Sequence, residues 1–140
     1  MKIFAGLVII TFIAISCNNV HQPTRTLLNN TDSIAINFFT GDGKMDSVTA
    51  VSIIKDKEAI VNIVQQATAS IFTNKKTCGY DGSLHFFKSN RVLLDIWFKK
   101  NNPLCNAFEF VYNGKLVHTK LTSEMATMLH SFQKKQLYYK

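Results

Sequence analysis

The sequence predicts an α+β fold: a mainly antiparallel sheet with two helices on one face, in the order ββαββββα. Three observations predict it. β-rich runs bounded by turn residues recur along most of the chain, whereas one central and one C-terminal segment carry apolar residues at three- and four-residue steps. Asn113-Gly114 lies between two such β-rich runs and is a strong hairpin signal, since both residues accept positive φ. Runs of strands interrupted by one helix and closed by another indicate segregated helices over an antiparallel sheet.

The elements follow in order. Ser33 to Thr40 and Ser47 to Ile54 are β-rich and flank Gly41-Asp42-Gly43-Lys44, a hairpin pattern. Asp56 is a natural N-cap, and Ile60, Val61, Ile63, Val64, Ala67 and Ile71 form one apolar stripe, which predicts a helix from about Lys57 to Ser70. Asn74 to Gly82 reads as a loop. Ser83 to Lys88 and Arg91 to Lys99 form a second hairpin around Ser89-Asn90, and Asn101-Asn102-Pro103 turns the chain again. Ala107 to Tyr112 and Lys115 to Thr119 complete the strands. Thr122 or Ser123 caps a final helix to about Gln136, with Met125, Met128, Leu129 and Phe132 on its buried side.

With 140 residues, 46% of them hydrophobic, there is enough apolar material for one core. The formal charge is +7, but the pairs Lys75-Lys76, Lys99-Lys100 and Lys134-Lys135 are dispersed and no basic run is interleaved with aromatics. The pattern excludes a nucleic-acid interface and fits loose attraction to head groups or acidic glycans.

At the N-terminus Lys2 precedes an uncharged apolar run from Ile3 to Ile15, and Ala14-Ile15-Ser16-Cys17 ends it. This is an export signal, too short to span a bilayer of about 30 Å before Asn18, Asn19, His21 and Gln22. Ser16-Cys17 resembles the lipobox of bacterial lipoproteins, with Ala14 where leucine is commoner. The resemblance implies cleavage before Cys17, acylation of its thiol and anchorage in the cell envelope, at the outer membrane. Residues 1-16 are then signal, 17-32 a lipidated cysteine with a flexible tether around Pro23, and 33-140 the domain. Cys78-Gly79-Tyr80-Asp81-Gly82, an aromatic strand and a second cysteine resemble small envelope lipoproteins of Gram-negative bacteria.

Cys78 and Cys105 fall at the same end of the expected meander, and in an oxidising compartment they are expected to form a structural disulfide. Cys78, His85 and Asp81 or Asp95 contain the residue types of a cysteine nucleophile, but the disulfide would consume the thiol. His21, His85, His118 and His130 are dispersed and there is no Cys-x-x-Cys, so no zinc site is expected; Asp42 to Asp46 lacks the carboxylates of a calcium loop. No catalytic residue, metal or cofactor is assigned.

Register parity across a short loop places His85, Phe87, Val92, Leu94, Ile96 and Phe98 on the core face. Leu84, Phe86, Leu93 and Trp97 then share the other face, which becomes the expected binding surface. The function expected is that of a membrane-tethered envelope protein with a small non-catalytic domain that binds a protein or an acidic glycan. An inhibitor or immunity-type protein is the alternative, and an envelope enzyme the more distant one.

Overall fold

The computed structural model describes residues 22–40, 47–72 and 78–135. The chain runs through α1 (Gln22–Leu28), β1 (Ser33–Phe39), β2 (Val48–Ile54), α2 (Lys57–Ala67), β3 (Gly82–Lys88), β4 (Arg91–Lys99), β5 (Ala107–Tyr112), β6 (Lys115–Lys120) and α3 (Ser123–Lys134). The strands make one six-stranded sheet in the order β2-β1-β3-β4-β5-β6, with every neighbouring pair antiparallel. The fold is α+β, as expected, with three helices instead of two.

The additional helix is α1, which lies within the segment expected to be a tether. Pro23 sits in its first turn, where a missing N–H costs nothing and the fixed φ suits a helix. Seven residues cannot hold a helix alone. Packing does so: Leu28 is fully buried in the core, and Arg25 Nε donates to Thr68 Oγ1 at the end of α2 at 3.1 Å. Residues Gln22 to Leu28, expected to be tether, therefore pack as part of the folded structure. Cys17, the expected export signal and the turn expected at Gly41-Asp42-Gly43-Lys44 lie outside the described residues.

All three helices feed one core. Leu28, Ile60, Ile63, Val64, Met125 and Leu129 pack on alternate strand positions that include Ile34, Ile36, Phe38, Leu84, Phe86, Ile96, Phe98, Phe108 and Phe110. Both expected caps form: Asp56 Oδ2 accepts from Ala59 N at 2.8 Å and Thr122 Oγ1 from Met125 N at 3.2 Å. Helix α2 stops at Ala67, short of Ser70, and Ile71 leaves the apolar stripe to bridge Thr119 of β6. Ser89 and Asn90 (φ 48° and 63°) and Asn113 and Gly114 (φ 50° and 72°) close the two tight hairpins in the left-handed region.

One feature of β4 overturns the expected faces. Phe86 pairs with Leu94 but Phe87 pairs with Val92, so Leu93 is an extra residue in the ladder. A bulge of this kind shifts parity by one. Leu84 and Phe86 consequently join Leu94, Ile96 and Phe98 on the core side, while His85, Phe87 and Val92 lie on the opposite face.

Candidate functional site

The face of the sheet turned away from the helices carries a continuous polar array around Trp97. Alternation places Asn37 opposite Ser83, Ser83 opposite Trp97, Trp97 opposite Glu109 and Glu109 opposite His118, a row that crosses five strands. In the next row His85 opposes Asp95. These cross-strand pairs bring side chains into contact from elements far apart in sequence.

Two imidazole–carboxylate pairs flank the tryptophan. His85 Nδ1 lies 2.6 Å from Asp95 Oδ1, and His85 Nε2 lies 3.0 Å from Asn37 Nδ2 and 2.9 Å from Ser83 Oγ. An amide nitrogen only donates, so Nε2 accepts and Nδ1–H donates to Asp95. On the other side His118 Nε2 is 2.7 Å from Glu109 Oε2, and Tyr80 OH donates to Glu109 Oε1. Burial and the neighbouring Glu109 carboxylate push the Tyr80 phenol well above its ordinary pKa. The Tyr80 ring in turn rests against Trp97, with centroids 6.1 Å apart.

Serine, imidazole and carboxylate here stand in the order of a nucleophile, its base and an orienting acid. Ser83 is only 3% exposed, and its hydroxyl shares Nε2 with the Asn37 amide. As arranged, the network fixes the ring and satisfies polar groups in the centre of the sheet. Around it Val51, Ile53, Val92, Val111 and Leu116 are exposed, giving an aliphatic rim to a polar, internally paired centre.

Of the four residues expected on a binding face, Trp97 alone occupies this one. Leu84 and Phe86 are fully buried in the core, and Leu93 packs against that core from the bulge. The proposed face therefore does not exist as a set, because the bulge reverses the parity on which it was drawn. Asn37, Tyr80, Ser83, Glu109 and His118 replace them; the spacing of Ser83 and His85, two apart on a strand, is the sequence signal that could have found the first of these pairs.

Cys78 and Cys105 form a disulfide with Cα atoms 6.1 Å apart, which removes Cys78 as a nucleophile. Asp81, the other candidate, is buried and holds Lys99 and the backbone that follows it. Among the described residues no three His, Cys, Asp or Glu side chains group as metal ligands, and no helix is long and apolar enough to cross a membrane. Comparison of the chain with protein-family models, curated proteins and solved structures finds no match.

Proposed function

We propose that this chain is an exported, lipid-anchored envelope protein whose domain binds another protein through the helix-free face of its sheet. The observation that carries the reading is the composition of that face. Its central polar groups are hydrogen-bonded within the face, His85 to Asp95 and His118 to Glu109, so a partner can cover them without leaving them unpartnered. The aliphatic rim and the half-buried Trp97 offer apolar contact around this internally hydrogen-bonded centre, the composition expected of an interaction surface. The Cys78–Cys105 disulfide supports export to an oxidising compartment, and the Ser16-Cys17 motif supports acylation there. Inhibition of an envelope enzyme is one form such binding would take, and an acidic glycan is the alternative ligand suggested by the net charge of +7.

Two variants test the reading. Cys17→Ser, expressed in a Gram-negative host, releases the protein from the detergent phase and abolishes incorporation of labelled palmitate. Trp97→Ala weakens capture of a stoichiometric partner from solubilised envelopes at least tenfold. It costs less than half of the roughly 3–5 kcal/mol that a fully buried tryptophan would. A soluble wild type starting at another residue would refute the anchor, and undiminished capture by Trp97→Ala would refute the face.

A further inference from the structure

Antiparallel pairing gathers several distant segments at one end of the sheet. Lys99 at the end of β4 pairs with Ala107 at the start of β5, and Ala107 pairs with Lys120 at the end of β6. The β4–β5 loop therefore lies beside the exit from β6, where Leu121 N donates to Asn106 O at 3.4 Å. The segment after α2 reaches the same end: Lys120 N donates to Ser70 O at 3.2 Å and Ile71 bridges Thr119. Helix α1 starts there too. Its Arg25 donates to Thr68 Oγ1 and to Gln65 O at the close of α2, and the chain then runs to Ser33, which pairs with Phe87 at the far end of the sheet. Gln22 thus lies toward the Lys120 end.

This end holds apolar side chains out into solvent. Leu104 is 75% exposed, beside exposed Pro103, and Ile71 is 43% exposed. The loop that carries Leu104 is braced from several sides. Cys105 is bonded to Cys78, Cys105 N donates to Asn102 O at 2.8 Å, Leu104 N donates to Asn102 Oδ1 at 3.1 Å, and Asn102 N donates to Asn106 Oδ1 at 3.1 Å. A tip fixed in this way gives up little further freedom when it is buried. With Asp81 matched to Lys99, the other charged groups at this end among the described residues are Arg25, Lys100, Lys120 and Glu124. Apolar tips beside an excess of cations are the composition that seats among anionic head groups.

We infer that this end of the domain is a membrane-seating surface, with Pro103, Leu104 and Ile71 set among the head groups of an anionic bilayer and Lys100 and Lys120 against its phosphates. The inference rests on the anchorage at Cys17 proposed above. Only residues 18–21 stand between that cysteine and Gln22, so an acyl chain there draws the Gln22 end of the fold to the bilayer. The opposite end is also basic, with Lys88, Arg91 and Lys115, so charge alone does not choose between them. The start of α1 and the Leu104 tip do. With the Lys120 end down, the strands stand upright on the membrane and the helix-free face stays open to a partner.

Spin labelling of the full-length protein, purified and reconstituted into vesicles of phosphatidylethanolamine and phosphatidylglycerol, tests this. Leu104→Cys places a label on the proposed surface, and Lys115→Cys places one at the other end of β6, about 17 Å away along the strand. Both positions are exposed, so neither change disturbs the core. Flotation with the vesicles checks the anchor separately. The Leu104 label should meet an aqueous nickel chelate roughly threefold or more less often than the Lys115 label, and lipid-soluble oxygen more often. Equal aqueous exposure of the two labels in protein that floats would overturn the inference and leave the anchor standing, as would deeper burial of the Lys115 label. Shielding of Leu104 that needs a second protein would assign the patch to that protein and overturn it as well. Protein that does not float would overturn the anchor and the inference together.

Discussion

Lys99 Nζ donates to Asp81 Oδ1 at 2.8 Å while the backbone amides of Lys100 and Asn101 donate to Oδ2 at 2.8 and 3.0 Å. One buried carboxylate thus fastens the end of β4, and the loop beyond it, to the start of β3. Burial opposes its ionisation, but the ammonium and the two amides outweigh burial and hold its pKa below the ordinary 3.8.

A depressed carboxylate contributes stability that is present above its unfolded pKa and lost as pH falls through the folded one. Acid titration of the wild type should therefore show a loss of stability beginning near pH 4 and continuing below it. Asp81→Asn should lose about 1.5–3 kcal/mol at neutral pH and show a shallower acid limb, measured by urea melts at several pH values. Parallel limbs for the two proteins would assign the acid sensitivity elsewhere.

Gly82, the next residue, lies where a Cβ would meet the carbonyl oxygen of Asn37 and the ring of Phe98 inside contact distance. A backbone atom blocks one side and a core aromatic the other. Gly82→Ala should cost more than about 2 kcal/mol, the range of an overpacked core. Because Asn37 also holds His85, the His85 ring resonances should shift in the same variant.

The Cys78–Cys105 bond closes a segment with a sequence separation of 27 that contains all of β3 and β4. Opening it should lower stability by about 3–4 kcal/mol in the loop-entropy picture. Thermal melts of a Cys78→Ser, Cys105→Ser double variant, which leaves neither partner of the bond as an unpaired thiol, measure this directly. A change below about 1 kcal/mol would mean that the reduced chain keeps these strands together by packing alone.

The His85 array predicts a tautomer. Nitrogen-15 spectra of the neutral ring should show the proton on Nδ1, directed at Asp95, with Nε2 unprotonated. Serine-directed fluorophosphonates should leave Ser83 unmodified. Asp95→Ala, at a half-exposed position, should cost about 0.5–1.5 kcal/mol. Labelling of Ser83 that disappears in Asp95→Ala would identify a working nucleophile.

Local chemistry made most of the secondary structure legible. Asp56 and Thr122 cap their helices, and Asn113-Gly114 turns its hairpin, because each acts on groups within a few residues of itself. The faces of β3 and β4 were not legible, since Leu93 looks like any other apolar residue in Arg91–Lys99 and only pairing with β3 reveals it as the extra one. That single residue decides whether Leu84 and Phe86 or His85 face the core. Helix α1 was hidden for a related reason: polar Gln22 to Thr26 gives no periodicity, and the burial of Leu28 depends on α2 and β4, far away in sequence. The candidate site suffered most because, apart from Ser83 with His85, its contacts join segments far apart in sequence.

If Cys17 is acylated as proposed, helix α1 also limits how far the domain can stand from the bilayer. Four residues separate Cys17 from Gln22, and fully extended they give the folded part a leash of about 17 Å. An acylated Cys17 would keep the domain among or just above the head groups, with no reach across the periplasm. Anything it binds must then come to the membrane surface, and the orientation of the open sheet face there is constrained by how α1 leaves the lipid.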